Sequence, residues 1–438
     1  MPSRHVSVVG LGRLGLCFAA SLANAGYDVT GTDIDEDIVE TVSKDTAPYP
    51  EPGLQAYLDD AGDRLTATTD TAGAVADSDA TFVFVNTPLS EDGHHSLDSV
   101  LAVCRTVGEV LPETDDYHVV TVRSTVMPGS VDGPIRETLE ESSGLTAGEE
   151  FGLCYNPEFT AMGEIIDGLE RPDFFLIGEQ SARAGDVVAD VCRTICDNDA
   201  PIHRMRPASA EMAKMMNNTY RTMKISFANT MGQIAEGVDA DIDEVMASLE
   251  SDSIINTKYL EPAARYGGPC YSRDNDAFES LAEDAGAVGH LATATDRVNA
   301  AHTEWVANAV RRTLDSGTVA ILGLSYKPGT PIAENSQGVE LAAALDREYD
   351  LVCADPAAVE DARDRIDAAV SFVDAETAVS MADLAVIATP WDEFTDPSLY
   401  ATSGIVLFDL WRCLDADAFE TVDYRPFGKD GLDGTVSE

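Results

Sequence analysis

Along the chain, short apolar runs alternate with stretches whose apolar residues recur every three or four positions. A strand-like His5-Val6-Ser7-Val8-Val9 precedes a glycine-broken turn and an apolar helical stretch to about Ala25; a turn at Gly26 leads into a second strand, Tyr27 to Asp33. Further apolar runs at 80–85, 118–122, 151–155 and 174–178 are separated by helical patterns near 97–111 and after Pro128. Such alternation predicts a parallel, doubly wound sheet. It stops at Pro207, where one long helix rich in Ala and Met runs to about Glu236, followed by helical stretches near 242–249 and 291–314. Strand character returns at 317–324, 351–354, 384–389 and 405–410. The pattern therefore predicts an α/β protein with two doubly wound domains, 1–206 and 317–438, joined by a mostly helical central domain, 207–316. The Met-rich faces of that middle suit a subunit interface, and hence a homodimer. The polar, Gly-rich residues from about Gly428 read as a frayed end.

The first turn reads Gly10-Leu11-Gly12-Arg13-Leu14-Gly15, and Asp33 closes the second strand. In a strand–turn–helix–strand unit, glycines at this spacing permit a tight turn, a close approach of pyrophosphate to the helix start, and close helix–strand packing. The acid accepts hydrogen bonds from the adenosine ribose and repels a 2′-phosphate, so NAD is expected rather than NADP. Both doubly wound domains are accordingly read as Rossmann-like. In open α/β sheets ligands lie at the carboxyl ends of strands, which places Thr87, Ser124 and Thr125 toward the cofactor; the same residue types also end strands and cap helices. A third strand end, Tyr155-Asn156-Pro157-Glu158-Phe159, offers Glu158 as a general base.

Two further features carry chemistry. Lys214 and Asn218 are four apart on the long helix, so they share a face. In Tyr266-Gly267-Gly268-Pro269-Cys270-Tyr271-Ser272-Arg273-Asp274, two glycines deliver a cysteine to the start of a helix, where unpaired N–H groups, the macrodipole and Arg273 favour thiolate. Alone, the same thiol also reads as a structural cysteine packed after a turn.

Composition narrows the partners. Against 78 acidic residues the chain has 28 basic ones, a net charge of −50 and pI near 4.1, so nucleic acid and anionic membranes are excluded as partners. The acids are spread over every segment, as in a protein adapted to molar salt, where the Debye length falls to about 3 Å. Only six lysines remain, and four of them lie between 214 and 327, which favours a chemical duty for Lys214. The eight scattered cysteines read as free thiols; Cys192 and Cys196 lack the His or carboxylate company of a metal site, so no metal is expected. Met1-Pro2-Ser3-Arg4 leads straight into a strand, and no window nears the ~20 apolar residues of a membrane span; a cytoplasmic protein is expected.

The segments Gly10–Gly15, Val85–Pro88, Ser124–Val126, Asn156–Phe159, Lys214–Asn218, Tyr259-Leu260, Gly267–Asp274, Gly323–Pro328, Asp355-Pro356 and Trp391–Phe394, in that order, resemble the UDP-glucose/GDP-mannose dehydrogenase family. The resemblance implies a four-electron oxidation of a nucleotide-sugar C6 alcohol to the acid, using two NAD in succession. It implies that Lys214 and Asn218, with Asp274 and a water, handle the proton and the developing oxyanion. Cys270 would form a thiohemiacetal and then a thioester, Glu158 would activate the hydrolytic water, and Thr125 would position water or the nicotinamide side. Arg13 and Leu14 join the glycines at the cofactor; Phe159, Tyr259, Leu260, Tyr266, Gly267, Tyr326 and Lys327 are implied on the sugar-nucleotide side. Four positions depart from the family pattern: Met162 for a second glutamate, Arg273 for lysine, Ile254 for an arginine that reaches the sugar from a neighbouring subunit, and Glu334 for the arginine of an Arg-Glu-Ser run. From these, Arg265 or Arg273 is expected to read a group that glucose presents differently. A silent nucleotide-sugar or NAD-binding protein, and a two-electron 3-hydroxy acid dehydrogenase, are the alternatives; the latter has no use for Cys270.

Overall fold

The computed structural model describes residues 5–432 apart from positions 115, 368, 402, 403, 420, 430 and 431; the reading of the first four residues lies outside that range. The chain divides into two compact units, 1–217 and 218–438.

The first unit is built on eight strands: β1 (His5–Val9), β2 (Asp28–Thr32), β3 (Leu65–Thr68), β4 (Ala80–Val83), β5 (Val119–Val122), β6 (Gly152–Tyr155), β7 (Phe175–Glu179) and β8 (Ile202–Met205). Their spatial order is β3-β2-β1-β4-β5-β6-β7-β8. β1, β4, β5 and β6 are almost wholly buried because both sheet faces are covered. One cluster gathers Val8, Phe18, Phe82 and Ile177, and another gathers Val83, Val107, Val120 and Leu153. The expectation of a uniformly parallel sheet is corrected at β6 and β7, which pair antiparallel. Between them lies only the six-residue helix Ile165–Glu170.

The second unit takes in the later part of the Pro207–Val238 helix, the helices Ile242–Glu250, Tyr271–Asp284 and His290–Thr313, and a six-stranded sheet. That sheet comprises β9 (Thr318–Leu322), β10 (Asp350–Ala354), β11 (Val370–Phe372), β12 (Leu384–Ile387), β13 (Val406–Asp409) and β14 (Asp423–Pro426), in the order β11-β10-β9-β12-β13-β14. Every pair is parallel. The chain thus has two Rossmann-like sheets with a helical region between them in sequence.

A second correction concerns Gly428, Lys429 and Leu432 in the end read as frayed; its positions 430, 431 and 433–438 lie outside the described residues. Gly428 and Leu432 donate their N–H groups to the two oxygens of buried Glu236, at 2.6 and 3.0 Å, and Phe427 and Leu432 are buried. Lys429 pairs with Asp243 and, at 3.8 Å, with Asp241. Charge-assisted bonds to a desolvated carboxylate tie this stretch down.

Candidate active site

Gly10 has φ +97°, and a Cβ there would lie 2.3 Å from the Phe84 carbonyl oxygen; one on Gly15 would lie 1.9 Å from the Gly10 oxygen. Gly12 differs, because its Cβ would meet nothing within 4 Å. It caps the Arg13–Asn24 helix with no side-chain cap bond and no acid in the first turn, so the helix's first amides are open to an anion. Arg13 stacks 5.2 Å over Tyr49, and its Nη1 has no hydrogen-bond partner among the described residues. Asp33 accepts from Leu11 N at 2.7 Å and Asp35 N at 3.0 Å, which fixes it beside the loop with lone pairs left for a ribose. A backbone cradle that a side chain would fill, an uncapped helix start and an adjacent acid fit a dinucleotide. Leu14 packs against the core.

The next strand ends are cross-braced. Thr87 Oγ1 donates to Thr125 O at 2.7 Å and Ser124 Oγ to Val85 O at 2.6 Å, so these two hydroxyls hold the loops rather than project from them. Glu211, buried on the Pro207–Val238 helix, accepts from Gly129 N at 2.6 Å and Val131 N at 2.8 Å and anchors the loop after Thr125. Burial pushes its carboxyl up to about 7. Beyond β6, Glu158 pairs with buried Arg123. The Phe159 ring packs at a tilt 4.8 Å from that of Phe174, with Lys214 Nζ 4.9 Å from its centre. The loop that follows is held by Glu51, whose oxygens accept from Gly163 N and Ile165 N at 3.0 Å each.

In the second unit Cys270 is exposed, whereas Cys17, Cys104, Cys154, Cys192 and Cys353 are buried. An exposed thiol at this turn is not one packed into a core. Cys270 caps the fourteen-residue Tyr271–Asp284 helix, whose start has no side-chain cap bond. The approach depends on its glycines: Gly268 has φ +82°, and a Cβ on Gly267 would lie 2.6 Å from the Asn335 carbonyl oxygen. Gly268 N donates to Glu334 O at 2.7 Å, and the Tyr326 ring lies against Gly268. One turn into the helix, buried Asp274 accepts from Asn218 Nδ2 at 2.6 Å, with Arg273 Nε 3.7 Å from its other oxygen. Asn218 and Asp274 are thereby brought together, while Lys214 lies one turn earlier on the long helix.

Two of the residues expected at the substrate, Tyr266 and Leu260, are buried, while Tyr259 stays exposed. Tyr266 is buried and donates its hydroxyl to Asp296, and its backbone is held by Asn299 at 3.0 and 2.9 Å. Leu260 packs with Ala235, Ile242 and Met246. Tyr259 holds φ +67° with Arg221 5.4 Å over its ring. Lys327 follows Tyr326 on the half-buried loop after β9. Arg265 is corrected from a substrate-reading fork to a strut: its guanidinium lies 3.3 Å from Thr303 and 3.6 Å from Glu340, largely buried between two helices. Ile254 is 90% exposed. Unforeseen from sequence were Arg123, Glu51 and Glu211. Their only signal was charge placed beside strand ends and loops that had to be fixed.

A dinucleotide cradle, and an exposed helix-start thiol near a buried carboxamide–carboxylate pair, are features of an NAD-dependent oxidoreductase. The chain matches the UDP-glucose/GDP-mannose dehydrogenase family in its NAD binding domain over residues 4–196, its central domain over 208–301 and its UDP binding domain over 320–416. It is 36% identical over 399 residues to UDP-glucose 6-dehydrogenase AglM of Haloferax volcanii, covering 89% of this chain and 92% of that one. It is 33% identical over 424 residues to a GDP-mannose 6-dehydrogenase of Pseudomonas putida, covering 93% and 95%. The structure of a UDP-glucose dehydrogenase from Pyrobaculum islandicum superimposes with TM-score 0.87 at 31% identity, covering 96% of each chain. The chain belongs to the UDP-glucose/GDP-mannose dehydrogenase family: it is a nucleotide-sugar dehydrogenase that uses NAD.

Proposed function

We propose that this chain oxidises the C6 alcohol of a nucleotide hexose to the carboxylate in two successive two-electron steps, with Cys270 carrying the acyl group between them. The carrying observation is the exposed Cys270 thiol, set by Gly267 and Gly268 at the uncapped start of a helix; a two-electron dehydrogenase has no task for it. NAD, when bound at Gly10–Gly15 and Asp33, supplies the hydride acceptor. Lys214 and Asn218 bind the reacting oxygen, with Asp274 orienting the Asn218 amide through its hydrogen bond. Cys270 Sγ adds to the aldehyde carbon to give a thiohemiacetal, and oxidation of that adduct leaves a thioester. Glu158 takes a proton from water as the water oxygen attacks the thioester carbon; the C–S bond breaks and the thiolate is regenerated. Thr125 supports this end of the site through its loop.

Two variants test the scheme. Cys270→Ser should lose steady-state formation of the acid, since a neutral hydroxyl neither adds nor leaves as readily as a thiolate. Glu158→Gln should bind substrate normally yet accumulate an acyl adduct on Cys270, visible in intact-protein mass spectra. Full turnover in the serine variant would defeat the proposal.

UDP-glucose is the first substrate to try, given what the relatives are named for. With Arg265 withdrawn, Arg273 is the remaining cationic fork near Cys270. We assign it to reading the sugar and expect kcat/KM to favour a nucleotide sugar other than UDP-glucose. A clear preference for UDP-glucose at an ordinary enzyme rate would overturn that assignment.

The homodimer is supported by the Pro207–Val238 helix, on which Met212, Met216, Tyr220, Phe227, Ile234 and Val238 are exposed at heptad-like spacing. Such a stripe needs a cover, and a second copy would supply it; light scattering in 2 M KCl should give about twice the chain mass. The charge of −50 supports a salt-adapted protein. Thermal stability should rise steeply between 0.1 and 2 M KCl, and an unchanged melting temperature would reject that reading.

A further inference from the structure

Around Glu158 the structure holds a second buried charge whose position goes beyond packing. Arg123 ends β5, and its side chain is only 1% exposed while that of Glu158 is 11% exposed. Its Nη2 pairs with a Glu158 carboxylate oxygen, and its Nη1 donates to Asn156 Oδ1 at 2.7 Å. The guanidinium lies 4.2 Å over the Phe18 ring and 5.1 Å over Phe84, so the fork has an aromatic floor. Asn156 is itself fixed, donating Nδ2 to Leu176 O at 2.8 Å and accepting the Cys192 thiol at 3.6 Å. One cation thus grips both Asn156 and Glu158, two residues apart on the same loop, from the neighbouring strand.

We propose that Arg123 is the positioning residue for Glu158, holding this carboxylate ionised and aimed so that it can accept the proton of the water that hydrolyses the thioester. The proposal rests on Glu158 as the hydrolytic base. In that step water gives one proton to Glu158 and its oxygen bonds to the acyl carbon. The C–S bond breaks with the sulfur leaving as thiolate, and the new acid gives its remaining proton to solvent. A base must be unprotonated beforehand, and a desolvated carboxylate with no cation beside it takes up a proton instead. Among the described residues, ionisable groups packed about the loop include Cys192, behind Asn156, Lys214, over the Phe159 ring, Glu51, at Gly163 and Ile165, and His203, against Phe174. Burial pushes the Cys192 thiol up to about 12 and Arg123 down to about 10, so near neutrality the thiol is uncharged and the guanidinium keeps its charge.

The test uses the full chain in molar KCl with NAD and whichever of UDP-glucose and GDP-mannose yields NADH with wild type. Arg123→Met should accumulate acyl-Cys270 at pH 7 and clear it at pH 9, because an opposite charge typically displaces a carboxyl by about 1–3 pH units. Glu158→Gln should hold the adduct at both pH values. Arg123→Lys keeps a charge but cannot grip both partners, so it should show a smaller alkaline shift of the same limb and a partial adduct. If the methionine variant does not fold, the lysine variant carries the test. A wild-type pH profile without adduct in the folded Arg123 variants, alongside adduct in Glu158→Gln, overturns the role of Arg123 alone. Absence of adduct in Glu158→Gln overturns the assignment of Glu158 beneath it.

Discussion

After β1 the chain turns at Gly10, φ +97°, and after β9 it turns at Gly323, φ +104°. In each case a later glycine packs onto the first: a Cβ on Gly15 would lie 1.9 Å from the Gly10 oxygen, and one on Gly338 would lie 2.0 Å from the Gly323 oxygen. In each an aspartate ending the next strand accepts the amide after the glycine at 2.7 Å, Leu11 N to Asp33 and Leu324 N to Asp355. The sequels differ. Gly15 follows Gly10 directly into a helix that begins uncapped at Gly12, whereas Gly338 comes only after the Ser325–Ser336 loop, and Ser336 caps the Gln337–Leu345 helix through Val339 N. Asp33 is half-buried and accepts two amides; Asp355 is buried and saturated by Leu324 N, Ser325 N, Ser325 Oγ, Ala357 N, Ala358 N and Trp391 Nε1. The same corner, left open, offers its polar groups to a dinucleotide; filled by its own chain, it braces the start of the loop that carries Tyr326 and Lys327. The physical difference is whether the polar groups of the corner are satisfied within the protein or left for a ligand.

This contrast predicts graded outcomes. Gly15→Ala and Gly338→Ala should both prevent folding, since each places a methyl inside backbone that cannot retreat, at a cost beyond ~3 kcal/mol. Gly12→Ala should fold with an unchanged melting temperature yet bind NAD far more weakly in a fluorescence titration. An unaltered NAD affinity would show that Gly12 does not line the cradle.

Asp355→Ala comes next in size. It strands several buried donors, each worth about 1–3 kcal/mol, and chemical denaturation should register a loss of at least about 3 kcal/mol. Asp33→Ala should lose much less stability and instead relax the preference for NAD over NADP in initial rates. Equal destabilisation by the two would erase the distinction between an open and a filled corner.

The smallest effect concerns Glu211, which joins the Thr125 loop to the long helix. Its folded carboxyl is raised by burial to about 7 from an ordinary 4.5. The folded state therefore holds a proton that the unfolded chain has already released between those values, so stability falls as pH rises through this window and the penalty is complete above it, at most about 3 kcal/mol. Relative to wild type, Glu211→Gln should become steadily more stable from pH 5 to pH 8; a constant difference would contradict the raised carboxyl.

Much of this was legible in the sequence, for reasons that can be named. Strands buried on both faces write continuous apolar runs, so β1, β4, β5, β9, β12 and β13 stand out, while the edge strands β3, β11 and β14 are short or half-polar and do not. The turn at Gly10–Gly15 was readable because Gly10 and Gly15 sit where a side chain would collide with backbone, and the Cys270 loop because Gly267 and Gly268 are needed for a like reason. Direction was not legible: the antiparallel β6–β7 pair leaves no mark on an apolar pattern. Arg265 could not be told from a substrate-reading fork, because its partners Thr303 and Glu340 lie far along the chain. The same holds for Arg123 and Glu158, whose pairing only the adjacency of β5 and β6 creates.

The central claim is that one active site carries a sugar alcohol through two oxidations with the acyl group held on Cys270. The most direct measurement is the ratio of NADH formed to uronic acid released, with NADH followed by absorbance and the acid by mass spectrometry in molar KCl. The account predicts two NADH per acid, with no free aldehyde captured by a carbonyl reagent. One NADH per turnover with release of the aldehyde would contradict it.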